Sequence, residues 1–148
     1  MNKCWKFLVG LFFVLSLTGC FGEEYDFSPP TVSLSNPNDV QIDELEEANI
    51  NWDSDKRYKK ETKDIISFAK EQPQLSYSVG EPMDLLFEHG DFDPNGLRVS
   101  VWKNDKEVEL KLENDSFYLP KETGEYVIVV DLDTDRGNAQ YVGNIRIQ

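Results

Sequence analysis

The chain has 148 residues, enough for one folded domain of ordinary size with short flanking segments. It carries 15 basic and 28 acidic side chains, so its formal net charge is −13 at pH 7. A charge of this size and sign argues against binding to nucleic acid or to anionic lipid head groups. It favours cationic partners, either basic proteins or Ca²⁺.

Residues 1–19 have the pattern of a cleavable secretion signal. Lys3 and Lys6 precede an apolar run of 11 residues from Phe7 to Leu17, which is shorter than the roughly 20 residues of a membrane-spanning helix. The run ends in Leu17-Thr18-Gly19-Cys20, which resembles the lipobox of bacterial membrane lipoproteins. That resemblance implies cleavage after Gly19 and attachment of diacylglycerol to the Cys20 thiol. The alternative is an ordinary secretion signal followed by a chance cysteine.

Lipid on Cys20 decides where the protein resides. Two or three acyl chains hold a protein durably on a membrane, so the resemblance implies the extracytoplasmic face of the cell membrane, in either a Gram-positive or a Gram-negative envelope. Residues 20–30 are then a short tether. Because Cys4 leaves with the signal and Cys20 is lipidated, the mature chain has no disulfide. Loss of Lys3 and Lys6 makes its net charge −15.

Residues 31–72 are predicted to be a largely irregular segment, with one short helix, that packs on the domain following it. The pattern indicates strands at 31–35 and 48–52. Apolar residues at helical spacing predict a helix over 62–71, with Thr62 as its N-cap and Pro73 as its stop. The residues from Lys56 to Lys60 form the basic cluster of this acidic chain.

Residues 73–148 are predicted to be an all-β domain. Short alternating apolar runs are separated by turn residues at intervals of roughly ten positions, a pattern typical of an antiparallel sandwich or barrel. Asn104-Asp105 predicts a tight hairpin. The predicted strands are residues 75–79, 83–88, 97–103, 107–112, 116–119, 125–132 and 141–147.

Three segments of this stretch resemble parts of an immunoglobulin-like β-sandwich. Val79 to Leu85 is similar to the turn into strand B, and Val101 to Val108 to the C–C′ hairpin. Glu122 to Ile128 is similar to the approach to strand F, where Tyr126 is the tyrosine-corner candidate. The resemblance covers residues 73–148 and implies that Phe87 and Ile128 pack where other members have a disulfide.

An apolar outer face is predicted on the same sheet. By period two, Leu97, Val99 and Val101 face the core, and the next residue, a tryptophan, points outward. This face is a candidate patch for binding a partner protein. The alternative is that Ile65, Phe68 and their neighbours cover it. The candidate patch consists of Trp102, Val127, Val129 and Val142.

An acidic group of side chains is predicted at one end of the sandwich. The resemblance implies that the loop containing His89 and the loop after residue 131 lie at the same end. Each loop has carboxylate or amide side chains at alternating positions, as at the start of a Ca²⁺-binding loop. Neither loop has the Glu that such a motif carries at its twelfth position. The alternatives are ordinary turns and pairing with the basic cluster. The candidate ligands are Asp91, Asp93, Asn95, Asp131, Asp133 and Asp135.

The chain is predicted not to be an enzyme. His89 is the only histidine, and the sequence has no nucleophile motif, phosphate-binding glycine loop or His/Cys metal set. We expect a membrane-anchored, non-catalytic protein-interaction module with a protein partner at the membrane. The alternatives are an acidic inhibitor of a basic secreted enzyme and a Ca²⁺-dependent envelope protein.

Overall fold

The computed structural model describes residues 28–89 and 92–148. The predicted signal, the lipid site Cys20, most of the tether and Asp91 therefore lie outside the described residues. The described chain forms strands and one short helix, α1 (Ile65–Lys70). The strands are β1 (Thr31–Ser35), β2 (Ile42–Glu44), β3 (Glu46–Asp53), β4 (Arg57–Lys60), β5 (Gln74–Tyr77), β6 (Pro82–Glu88), β7 (Pro94–Lys103), β8 (Lys106–Leu110), β9 (Ser116–Tyr118), β10 (Gly124–Thr134) and β11 (Gly137–Ile147).

The strands form two sheets that pack as a sandwich, so the all-β prediction is confirmed. The smaller sheet has the order β2-β1-β6-β9, and the larger has the order β4-β3-β11-β10-β7-β8. These neighbours are antiparallel, whereas β5 adds to β11 in parallel. Each of the seven strands predicted after residue 73 is present. In the described residues, no helix is long and apolar enough to cross a membrane.

Residues 31–60 are more regular than the sequence predicts. The strands predicted at 31–35 and 48–52 are present as β1 and as part of β3. β1 pairs with β6 in the smaller sheet, and β3 pairs with β11 in the larger one. The short strands β2 and β4 add to the free edges of β1 and β3. The segment therefore supplies strands to both sheets, and only α1 packs on the surface of a sheet.

Helix α1 begins later than predicted. Its N-cap is Asp64, whose carboxylate accepts a hydrogen bond of 3.1 Å from the Ser67 amide. The Thr62 hydroxyl instead donates to the Ala48 carbonyl oxygen at 2.6 Å. The prediction of Thr62 as N-cap is therefore wrong, because a contact with β3 occupies its side chain. The helix still ends before Pro73, as predicted.

The main core lies between the two sheets. Val32 and Leu34 of the smaller sheet face Trp52, Val99 and Ile128 of the larger one, and all five side chains are buried. The predicted inward orientation of Val99 and Val101 is confirmed. Phe87 packs against this core, of which Ile128 is a buried member. At about 25 cal/mol per Å² of buried apolar area, this burial is the main stabilising contribution.

Two predicted local contacts are present at the ends of the long strands. The Tyr126 hydroxyl donates to the Glu122 carbonyl oxygen at 2.8 Å, the contact expected of a tyrosine corner. Asn104 and Asp105 have φ values of 51° and 61°, and they connect β7 to β8 in a two-residue turn. These contacts fix where β10 begins and where β7 ends.

Candidate functional site

The outer face of the larger sheet, turned away from the smaller sheet, has an apolar half that α1 covers. Val127, Val129 and Val142 are at most 2% exposed and pack with Ala69 of the helix. Trp102 is half-buried at the margin of this cluster. The prediction that Trp102, Val127, Val129 and Val142 form an open binding patch is therefore wrong, because the three valines are inaccessible to a partner. The alternative is confirmed: Ile65, Ile66 and Phe68 pack against the face.

The other half of the outer face is polar, and its side chains are joined by hydrogen bonds. The Thr62 amide donates to Asn49 Oδ1 at 2.7 Å, and Asn49 Nδ2 donates to Gln140 Oε1 at 2.7 Å. Gln140 Nε2 then donates to Asp131 Oδ1 at 2.9 Å. Because β3, β11 and β10 are neighbours, these side chains form one row across three strands.

Arg98 on β7 continues this row to the edge of the sheet. Its guanidinium lies 3.9 Å from Asp131 Oδ2, 2.7 Å from Glu107 Oε1 and 3.2 Å from Glu109 Oε2. The hydrogen bond that Arg98 donates to Glu109 and the negative charge of Glu107 raise the pKa of Arg98. We call the row from Asn49 through Gln140, Asp131 and Arg98 to these two glutamates the polar ladder. It spans five strands and holds its carboxylates in place.

A groove of about 660 Å³ lies over the polar ladder and the row beside it. Asn49, Gln140, Asp131 and Arg98 line it, together with exposed Asp133 and Asn138. Gly96 stands opposite Asp133 on β7, so no side chain fills the floor at that position. A β-carbon there would lie 3.9 Å from the Asp133 β-carbon, an ordinary contact. We call this space the ladder groove; its lining offers carboxylate and amide oxygens as acceptors.

The two loops predicted to carry a cation site do meet. The Asp93 amide donates to Asp135 Oδ1 at 2.8 Å, and the Asp135 amide donates to the Asp93 carbonyl oxygen at 3.1 Å. The carboxylates nevertheless do not converge: Asp131 is held by the ladder, and Asp135 lies 3.8 Å from Arg136 Nε. Among residues 28–89 and 92–148, no three acidic side chains form a group suited to a metal ion. Asp93 and Asp135 therefore form a contact between the two loops, and Asp131 and Asp133 line the ladder groove.

The basic cluster makes its own contacts along β3 and α1. Lys60 Nζ donates to the Glu47 carbonyl oxygen at 2.7 Å and lies 5.3 Å from the centre of the Phe68 ring. Lys59 pairs with Glu61 at 3.1 Å. These contacts of Lys59 and Lys60 differ from the predicted pairing with the acidic loops. The pairing of β4 with β3 places both lysines beside Ile50 and Asn51 at the edge of the sheet.

Sequence reasoning identified Asp131 and Asp133 but missed Asn49, Arg98 and Gln140. A local signal was present: polar residues recur at every second position of these strands, as at Asn49 and Asn51. This local pattern does not predict the register, which is what brings the strands carrying these residues side by side. Comparison with models of known protein families and with curated proteins finds no match. The groove is therefore the feature of the described residues that points to a function.

Proposed function

We propose that the chain is a membrane-tethered, non-catalytic interaction module whose ladder groove binds a basic segment of a partner protein. The observation that carries this proposal is the polar ladder, which holds carboxylates and amides in one row beside an open groove. Because these side chains are already ordered, binding loses little side-chain entropy. Lysine and arginine side chains supply the donors that such acceptors need.

The charges around the groove support a cationic partner. Arg98 is the basic residue of its lining, and Glu107 and Glu109 already pair with it. Asp131, which lies 3.9 Å from Arg98, and exposed Asp133 add two further carboxylates. The net charge of −13 extends the attraction beyond the groove, which speeds the approach of a basic partner and makes its association depend on salt.

The membrane tether in this proposal is supported by the N-terminal sequence. Residues 17–20 resemble a lipobox, and an apolar run and two lysines precede them in the expected order. Lipid on Cys20 confines the domain to a membrane surface and raises its effective concentration near a partner there. A groove that binds only moderately in solution is then sufficient for stable association.

Within this proposal we assign the sandwich to the immunoglobulin-like class. The order β11-β10-β7-β8 corresponds to strands G, F, C and C′, and the β6–β9 pair corresponds to B and E. The Tyr126 contact with the Glu122 carbonyl supports the same assignment. On this basis the partner-binding groove lies on the outer face of the G-F-C sheet.

The test measures binding of a fluorescent octa-lysine peptide to the full-length protein in neutral nanodiscs. The variant is the pair Asp131→Asn and Asp133→Asn, which keeps the shape of both side chains. The matched control is the pair Asp39→Asn and Asp115→Asn, two exposed residues in the β1–β2 and β8–β9 connections. At about 0.7 kcal/mol for each exposed charge contact, the groove variant should bind about tenfold more weakly.

The control decides between the groove and overall charge. Both double variants change the net charge equally, so a control that binds within twofold of the unmodified protein supports the groove. Equal losses in the two variants would show that overall charge alone attracts the peptide. Gly96→Ala is a further check, since its methyl group enters the groove floor without changing any charge; it should also weaken binding.

A further inference from the structure

A second cleft lies at the open edge of the sandwich, away from the ladder groove. It has a volume of about 390 Å³ and lies between the β7–β8 hairpin and the connection from β9 to β10. Its floor is apolar and consists of Val101, Val108, Pro120 and Tyr126. Val101 and Tyr126 belong to the main core, whereas Val108 on the edge strand is 57% exposed. The apolar surface that solvent reaches at this point is therefore that of Val108 and half-buried Pro120, beside the buried core.

The rim of this cleft is basic, although the chain as a whole is strongly acidic. Lys103, Lys106 and Lys121 line it, and Glu122 is the acidic residue among the lining side chains. At physiological ionic strength, charges more than about 8 Å away are largely screened. The three lysines outnumber the one carboxylate of the lining, so the lining itself is cationic, although Asp105 and Glu107 flank Lys106 along the chain.

Lys103 is held in position before any ligand arrives. Its ammonium donates to Glu122 Oε1 and to the Thr123 carbonyl oxygen, both at 2.9 Å, and lies 5.2 Å from the centre of the Tyr126 ring. A β-carbon at Gly124 would lie 2.8 Å from Lys103 Nζ, so the glycine leaves room for this ammonium. A cation fixed in this way loses little conformational entropy when it binds an anion.

Lys106 stands directly opposite Lys103 in the β7–β8 hairpin. Like charges in directly opposed positions destabilise a strand pair. Glu122 pairs with Lys103, and among the described residues it forms no ion pair with Lys106. An anion placed between the two ammonium groups would offset the repulsion. Binding of such an anion would therefore also stabilise the β7–β8 hairpin.

We propose that this cleft, the lysine cleft, binds a small amphiphilic carboxylate whose apolar body lies on Val108 and Pro120. The carboxylate lies between Lys103 and Lys106, and Lys121 closes the opposite rim. The volume is near the lower end of the range for small-molecule sites. It suits one aromatic or short acyl group, and it is too small for a two-chain lipid.

The test uses 1-naphthoate as the probe and the full-length protein in phosphatidylcholine nanodiscs. Equilibrium dialysis measures binding, and empty nanodiscs are subtracted. We expect saturable binding of 1-naphthoate, at least tenfold tighter than binding of 1-naphthylmethylammonium, which has the same ring system and the opposite charge. Equal affinities for the two probes, or uptake that never saturates, would overturn the proposal.

Two variants test the site itself. Lys106→Gln removes one rim charge and should weaken binding at least fivefold. Lys111→Gln is the matched control, because Lys111 is an exposed lysine whose partner is Glu113, outside the cleft; its affinity should change less than twofold. Val108→Asp places an anion on the exposed part of the floor and should abolish binding. Equal effects of the two lysine variants, or normal binding by Val108→Asp, would assign the probe to another place.

Discussion

Replacement of Gly137 by alanine should destabilise the protein more than any other single methyl group added at a described glycine. Gly137 opens β11, where it pairs with Trp52 of β3 and has a φ of 132°. A β-carbon at this position would lie 2.0 Å from the Asn51 carbonyl oxygen and 3.3 Å from the Trp52 α-carbon. Both atoms belong to the backbone of the neighbouring strand, so no side-chain rotation relieves the overlap.

The magnitude follows from two costs. Holding a residue with a side chain in a conformation normally reserved for glycine costs about 1–3 kcal/mol. Moving a packed backbone to relieve an overlap costs about 1–3 kcal/mol more. A total of about 4 kcal/mol is a large part of the 5–15 kcal/mol that stabilises a typical domain. With a urea dependence of about 2 kcal/mol per M, the unfolding midpoint should fall by about 2 M.

Urea titration followed by tryptophan fluorescence measures this change, and Gly96→Ala is the matched control. Gly96 lies on β7 without a positive φ, and its added β-carbon would be 3.9 Å from its nearest neighbour, the Asp133 β-carbon. That variant should keep its midpoint or raise it slightly, since alanine is less flexible than glycine in the unfolded chain. A Gly137→Ala midpoint within about 0.3 M of the Gly96→Ala midpoint would refute the reasoning.

Three further predictions concern a buried hydrogen bond, alkaline pH and the lipid. Tyr141→Phe removes the hydroxyl that donates to the buried Pro30 carbonyl oxygen at 2.6 Å, so urea titration should show a loss of about 1–3 kcal/mol. Burial raises the pKa of Tyr141, and burial with the Asp43 hydrogen bond raises that of Tyr77, above the ordinary value of 10.0. The stabilising contribution of the two tyrosines is therefore complete below pH 10 and is lost as pH rises through their folded pKa values. Urea midpoints should fall above pH 10, and they should fall less steeply in Tyr141→Phe. Cys20→Ser should accumulate as an unprocessed precursor on gels of cell fractions; normal cleavage and membrane retention would contradict the lipobox prediction.

Local pattern was sufficient for the strands after residue 73. Alternation of apolar and polar residues is a property of neighbouring positions, so it predicts both the strands and the faces of Val101 and Trp102. The same holds for the turn at Asn104 and Asp105, whose side chains tolerate a positive φ. At these positions the backbone preference and the burial pattern agree, and the tertiary contacts favour the same structure.

Local pattern was not sufficient for β2, β4 and the start of α1. β2 and β4 are short and mostly exposed, so no alternation marks them, and they are strands because β1 and β3 offer them open edges. The N-cap prediction failed for a related reason: Thr62 has the right side chain, but its hydroxyl bonds to Ala48 in the neighbouring strand. Contacts between distant positions decided both outcomes.

By itself, the sequence determined the all-β class, the alternation of each long strand and the acidic charge. Each of these depends on residue type or on the spacing of near neighbours. Only the tertiary structure decided that α1 covers Val127 and Val129, and that Asn49 meets Gln140. The physical reason is register: positions 91 residues apart become hydrogen-bonded partners only when β3 and β11 pair in one alignment.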